Sequence, residues 1–212
     1  MRLGRRRRPP YELLSLLLRY PDEQLLEARS EVAQAVRELP ASYEKGCLER
    51  FCEHWLTTTA TALQQAYVET FDLQRRCGLY LSYYVDGDTR KRGMSLLRLK
   101  RMYEAAGLIK EEGELPDFLP LILEFAELAP AGYGRQVLTE YRASLELIRR
   151  SLRAKHSPYL HLLDAICHDL AALNPLQQAD LVKLIREGPP SEQVGLRPFA
   201  PPEVMPAMEP LP

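Results

Sequence analysis

Several things this 212-residue chain lacks narrow what it can be. It has no sustained alternation of apolar and polar residues at a period of two, which argues against a β-sheet protein. It has no phosphate-cradling glycine loop, no nucleophile elbow and no HExxH, which removes the usual sequence signs of a nucleotide-binding or hydrolytic enzyme. Its four cysteines, Cys47, Cys52, Cys77 and Cys167, form no CxxC and no regular framework. They therefore read as reduced thiols of a cytosolic compartment rather than as disulfides or a zinc site. No apolar run approaches the roughly 20 residues that cross a bilayer, and a net charge of −1 gives no global attraction to nucleic acid. There is no internal repeat.

Histidine is equally scarce. Of His54, His156, His161 and His168, the last two stand seven apart on one helical pattern with Asp164 between them. Two turns is too far for the i, i+4 pair that chelates one metal from a single helix. Cys47 and Cys52, five apart, share a helical face poorly and read as small buried hydrophobes. A helical metal-dependent hydrolase, the enzymatic alternative, needs ligands converging from several helices, and the chain is read as a non-enzyme without a cofactor of its own.

What is present is helical punctuation. With 46% hydrophobic residues, 27% charged and only 11 glycines, the composition suits an all-α, single-domain bundle of roughly eight to ten helices with a Pro-rich C-terminal tail. Residues 1–10 form a basic arm, with Arg2 and Arg5 to Arg8, superficially like a signal peptide. The short apolar run, Glu12 and the lack of a small-residue cleavage site make a solvated arm, or one contacting anionic lipid or an acidic partner, the better reading. Residues 11–188 form the helical domain. Asp22 caps a second helix running to Leu39, stopped by Pro40. A third pattern runs from Ser42 to Phe71, with a bend or break possible at Thr57-Thr58-Thr59. Later helices cover Leu119–Leu128 and the apolar positions Val137 to Leu152, and others start at Ser157-Pro158 and at Asn174-Pro175. From Pro189 on lie eight of the chain's 17 prolines, expected to be an extended, partly disordered tail.

The densest signals lie between Tyr67 and Glu127. An aromatic run, Leu79, Tyr80, Leu81, Tyr83 and Tyr84, ends at the Asp86-Gly87-Asp88 turn. Asp88 is expected to cap a helix from about Thr89 to Ala106, with Gly107 as its C-cap. Arg90, Lys91 and Arg92 open that helix, where cations oppose the dipole, either as a solvated face or toward an acidic partner. Glu114-Leu115-Pro116-Asp117-Phe118-Leu119-Pro120 then opens the next helix, its prolines suited to a loop and a first turn. Between Glu111 and Glu127 six acids occur with no Lys or Arg, a solvated face or a lip for a basic peptide. Tyr80, Tyr83 and Tyr84, at helical spacing, are either core or a peptide-binding face with polar tips.

The succession YVETFD, LYLSYY, GDTRKRG, LLRLKRMYEAAGL and ELPDFLPLILEFAE closely resembles the nitrate reductase assembly chaperones, the delta-subunit family within the molybdoenzyme maturation chaperones. Five motifs in order at tight spacing make the resemblance specific. One position departs: the family usually has His after the Pro-Asp pair, where this chain has Phe118. The resemblance implies an all-helical chaperone that binds the catalytic large subunit of respiratory nitrate reductase as apoenzyme. It would hold that subunit open for molybdenum cofactor insertion and delay its membrane docking. The basic, signal-like N-terminal peptide of that subunit would lie in an apolar groove as a helix. Another molybdoenzyme is the alternative client. The expected client-binding residues are Tyr80, Tyr83, Tyr84, Asp86, Asp88, Arg90, Glu114, Pro116 and Asp117, with no catalytic or metal-binding residue and no nucleic-acid partner.

Overall fold

The computed structural model describes residues 9–108, 113–130 and 132–190. The described chain forms twelve α-helices and one π turn, with no named strand among the described residues. The basic arm before Pro9 and the tail beyond Pro190 lie outside the described residues, as do Glu111 and Glu112. In order come α1 (Tyr11–Leu17), α2 (Glu23–Glu27), α3 (Arg29–Glu38), α4 (Tyr43–Thr57), α5 (Ala60–Tyr67) and a π turn (Val68–Asp72). They are followed by α6 (Leu81–Asp86), α7 (Arg90–Ala105), α8 (Leu119–Leu128), α9 (Tyr133–Glu140), α10 (Arg142–Ala154), α11 (Leu160–Asp169) and α12 (Pro175–Glu187).

The all-α reading holds, and the helix number rises to twelve because three long apolar patterns each divide in two. The pattern from Asp22 to Leu39 divides at Ala28, whose ψ is 2°. There the Arg29 side chain donates to the Leu26 carbonyl at 3.1 Å and to the Thr58 carbonyl at 3.1 Å, so tertiary bonds replace part of the helical ladder. The pattern from Ser42 breaks at the threonines as anticipated. Thr57 and Thr58 hydroxyls donate back to the His54 carbonyl, and Thr59 caps α5 by accepting from the Ala62 amide. The pattern around Val137 to Leu152 divides at Tyr141, with ψ of 19°, so that α9 can follow α8 while α10 turns into the core.

Caps predicted by side-chain chemistry are in place. Asp22 accepts from the Leu25 amide at 2.8 Å and Ser42 from the Lys45 amide at 3.1 Å. Asn174 and Gln177 close a reciprocal capping box at the start of α12. The α7 cap is a correction: Thr89 accepts from the Lys91 amide at 3.2 Å, while Asp88 points out and meets Arg92 at 3.5 Å. The helix therefore begins one residue later than a cap at 88 would place it.

The core is organised around α10 and α11. α11 packs against α4 and α1, and α10 against α11, α12, α6 and α9. Leu145, Ile148 and Leu152 of α10 meet Leu162, Leu163 and Ile166 of α11, all fully buried. α1 lies across α8 and is tied at two points: Ser15 donates to the Pro120 carbonyl and Tyr11 to Asp169, each at 2.8 Å. All four cysteines are free and buried, and burial pushes the Cys52 and Cys167 thiols up to about 11. They serve as small apolar residues, as their spacing suggests. Among the described residues no helix is long and apolar enough to cross a membrane.

α10 also carries buried charge. Glu146 accepts from Arg142, Arg149 and Arg150 at 3.0 to 3.3 Å, and Arg149 reaches on to Asp164 at 2.5 Å. Burial pushes the Glu146 carboxyl up, but the hydrogen bonds of Arg150 and Arg149 and the charges of Arg149 and Arg142 outweigh it and hold the group below its ordinary value. Glu146 thus contributes stability that is fully present above about pH 4.5 and lost as pH falls through its lower folded-state value. Acid unfolding of Glu146→Gln, followed by helical circular dichroism, is expected to show a shallower loss of stability below pH 4.5 than the parent, which is more stable at neutral pH.

α8 and α9 touch at backbone distance: a Cβ on Gly134 would stand 2.1 Å from the Ala126 Cα. Gly134→Ala gains about 1 kcal/mol of helix propensity, yet forces two helices apart at a cost typical of overpacking, about 1 to 3 kcal/mol. A lowered melting temperature is the expected result, and an unchanged or raised one would show that α9 slides freely.

Candidate functional site

The sequence-dense region folds into a three-way joint between the 79–84 segment, the 113–118 loop and the start of α7. Tyr80 has an extended backbone and forms an isolated antiparallel bridge to Phe118. The Leu81 amide donates to the Asp117 carbonyl at 3.0 Å and the Leu119 amide to the Leu79 carbonyl at 2.8 Å. The bridge explains why the segment departs from the helical spacing of its aromatics. Tyr80 precedes α6 with ψ of 99°, so Tyr80, Tyr83 and Tyr84 do not share one helical face.

Asp117 sits at the centre of the joint, fully buried. One carboxylate oxygen, Oδ2, accepts from the Ser82 amide at 3.2 Å and the Ser82 hydroxyl at 2.6 Å. Arg92 of α7 comes within 3.5 Å of the same oxygen and donates to the Ser82 hydroxyl at 3.3 Å. Asp117 therefore acts at the start of α6 as a capping residue supplied by another part of the chain, satisfying an N-H group of the first turn and favouring its positive dipole end. Pro116 is buried beside it, its carbonyl accepting from the Tyr103 hydroxyl at 2.6 Å.

The remaining predicted residues fall into two groups. Tyr84 is core, 1% exposed, with its hydroxyl donating to the Gly78 carbonyl at 2.9 Å. Asp86 is half-buried, and its carboxylate accepts from Ser95 at 2.6 Å while its carbonyl accepts from Thr89, fixing the turn to α7. At the surface, Tyr80 donates to Glu114 at 2.8 Å and packs its ring against Phe118, centroids 5.3 Å apart. Burial and the Glu114 hydrogen bond push the Tyr80 hydroxyl up, so it remains a donor at neutral pH. Leu115 stands exposed nearby at 40%. Tyr83 is half-buried, and the Arg92 guanidinium lies 5.8 Å from its ring centroid. Asp88 and Arg90 are exposed at the start of α7.

The six acids between 111 and 127 do not form one patch among the described residues. Asp117 is internal, and Glu124 receives Arg19 and Ser15 on the α1 side. Glu114 meets the aromatic surface. The residues that pattern reading left out of the site are Ser82, Arg92, Leu115 and Phe118. A serine within an aromatic run gives little signal, and only the partner loop reveals its role.

No group of three or more His, Cys, Asp or Glu that could hold a metal occurs among the described residues. His168 pairs with Glu44 at 2.7 Å and Asp164 with Arg149 and Arg153. The arrangement is that of a helical scaffold presenting a braced aromatic edge, the class of an assembly or binding protein. Comparison with known proteins makes the class specific. The nitrate reductase delta subunit family model matches residues 26–165, and the chain belongs to that family, which consists of assembly chaperones rather than catalysts.

Two relatives illustrate it. A Bacillus subtilis (strain 168) protein described as "Probable nitrate reductase molybdenum cofactor assembly chaperone NarJ" is 35% identical over 77% of this chain and 87% of its own length. The nitrate reductase molybdenum cofactor assembly chaperone NarJ of Escherichia coli (strain K12) is 32% identical over 73% of this chain and 66% of its own. A crystal structure from Archaeoglobus fulgidus, assigned to redox enzyme maturation, shares the fold with a TM-score of 0.56 at 24% identity, covering 75% of this chain and 90% of that one.

The joint separates two kinds of substitution. Asp117→Ala strands the Ser82 amide and removes the Arg92 partner, for an expected loss of about 3 kcal/mol. Tyr84→Ala empties a core site at about 3 to 5 kcal/mol. Tyr83→Ala, half-exposed, is expected to cost under about 1.5 kcal/mol. Urea unfolding of the three variants checks the order, and a Tyr83→Ala loss as large as that of Tyr84→Ala would place both rings in the core.

Proposed function

We propose that this chain is a cytoplasmic maturation chaperone that binds the catalytic large subunit of a respiratory nitrate reductase as apoenzyme. It keeps that subunit competent for molybdenum cofactor insertion before membrane docking. The printed roles of the relatives support this client class. The observation that carries the binding site is the Tyr80–Glu114 pair beside Phe118 and Leu115: a polar and acidic tip on a partly exposed apolar edge, braced from behind by Asp117.

On this reading a basic amphipathic N-terminal segment of the client lays its apolar face on Tyr80, Phe118, Leu115 and Tyr83, with Glu114 and Asp88 meeting its cations at the rim. Tyr84, Pro116, Asp86 and Asp117 act from within by holding that edge in shape. Apolar contacts dominate the affinity, because burying an aromatic ring contributes about 1.5 to 3 kcal/mol while an exposed ion pair contributes at most about 1 kcal/mol. The site needs no catalytic group, since holding an apoenzyme open requires only binding that ceases when the client folds around its cofactor.

Calorimetric titration with a synthetic peptide of the client's N-terminus tests the proposal. Tyr83→Ala or Tyr80→Ala is expected to weaken binding about tenfold or more. Glu114→Gln is expected to weaken it less and to reduce its salt dependence. Unchanged affinity in stable, folded Tyr80→Ala and Tyr83→Ala proteins would move the site elsewhere.

A further inference from the structure

α7 is 16 residues long, yet it buries only Leu99 and Tyr103, and its helix-to-helix packing is mainly with α6. At about 100° per residue, Arg90, Met94, Leu97, Arg101 and Ala105 fall within an arc of about 80° on the side opposite those two residues. All five are exposed, Met94 by 69% and Leu97 by 40%. Lys91 and Arg98 flank the arc on one side and Lys100 on the other, all three exposed. The outward side of α7 is thus a short apolar ridge set among cations.

The fold accounts for that charge only in part. α7 carries six basic residues and one acid, Glu104. Arg92 faces inward to Asp117, Arg98 meets Glu140 at 2.5 Å and Lys100 meets Glu104 at 3.9 Å. Lys91 and Arg101 form no ion pair among the described residues. Arg90 and Lys91 stand in the first turn, where the amino end of the helix dipole repels cations, so they weaken the helix that carries them.

Shape and charge together select the occupant. The shallow depression beside Met94 and Leu97 is lined by Arg98, Arg101, Met102 and Ala105 of the same helix, and no second element supplies an opposing wall. A peptide helix is held in a groove, between walls. A single convex helix with apolar side chains amid Lys and Arg instead matches an anionic bilayer, where the apolar groups enter the headgroup layer and the cations reach the phosphates. The net charge of −1 for the whole chain does not oppose this, because charges beyond about 8 Å are screened at physiological salt.

We propose that the outward face of α7 docks peripherally on an anionic phospholipid surface, with Met94 and Leu97 in the headgroup layer and Lys91, Lys100 and Arg101 meeting lipid phosphates. Two apolar side chains insert little area, so the contact is weak and reversible and depends on anionic lipid, each cation near the surface strengthening it about fivefold. The face is distinct from the Tyr80–Glu114 edge, and its test uses no client.

A fluorescence titration of the full chain with vesicles supplies that test. Because all four native cysteines are buried, Met94→Cys can carry a single environment-sensitive fluorophore. A blue shift is expected with vesicles of equimolar phosphatidylcholine and phosphatidylglycerol, and none with phosphatidylcholine alone. Adding Lys100→Gln and Arg101→Gln, both at exposed positions, is expected to weaken apparent affinity about tenfold or more, with helicity unchanged by circular dichroism. The same fluorophore at Leu176→Cys on α12, 78% exposed in the parent, is expected not to shift, which separates docking of α7 from capture of the chain through its basic arm. No shift at position 94, an equal shift at position 176 or with phosphatidylcholine alone, or an affinity unchanged by the two glutamines overturns the proposal. A shift produced by an acidic amphipathic peptide but not by anionic vesicles also overturns it and would assign the ridge to a protein partner.

Discussion

A single buried carboxylate holds together the joint between the 79–84 segment, the 113–118 loop and the start of α7. Asp117 accepts two hydrogen bonds from Ser82 and faces Arg92, so the starts of α6 and α7 and a loop 25 to 35 residues further on meet at one oxygen. Without it, the start of α6 would leave a buried N-H group unsatisfied, and Arg92 would lose its buried anionic partner. Desolvating a carboxylate is costly, and a buried ion pair seldom adds much net stability. Its effect is positional: the Leu79–Leu81 segment is fixed against the Asp117–Leu119 segment, and the rings of Tyr80 and Phe118 are fixed with them. The exposed edge is thus set by a polar contact that never reaches solvent.

This geometry also reconciles the departure at Phe118 with family membership. Where the resemblance leads one to expect a histidine, a phenyl ring packs on Tyr80, so the surface keeps an aromatic group there but loses a polar one. The polar groups at this edge are the Tyr80 hydroxyl and Glu114.

Much of the fold was legible because it depends on local chemistry. Asp22, Ser42 and Asn174 can bond the free amides of a first turn, and all three do so. Pro116 and Pro120 restrict where α8 can start, and its limits agree with the sequence pattern. The divisions at Ala28 and Tyr141 were not legible, since no breaker residue stands there. A guanidinium from within the chain and the diverging packing of α9 and α10 produce them. The candidate site was legible in its residues but not in their arrangement. Tyr80 was assigned to a helical face because its spacing fits one, while the backbone bridge that removes it from the helix depends on Phe118, 38 positions away. Asp117 likewise looks like a loop acid in sequence and becomes internal only once Ser82 and Arg92 surround it.

The π turn from Val68 to Asp72 has a consequence for register. An α-helix turns about 100° per residue, and a π turn absorbs one more residue than the α repeat before the chain returns to the same heading. Here it brings Tyr67 and Phe71 together onto Tyr159, with ring centroids 6.1 and 4.7 Å from it. The YVETFD stretch thus sets the phase between Tyr67 and Phe71 at the end of α5. A change in its length by a single residue would carry Phe71 off Tyr159 while leaving α5 intact, so in this segment the residue count matters to the packing as much as residue identity.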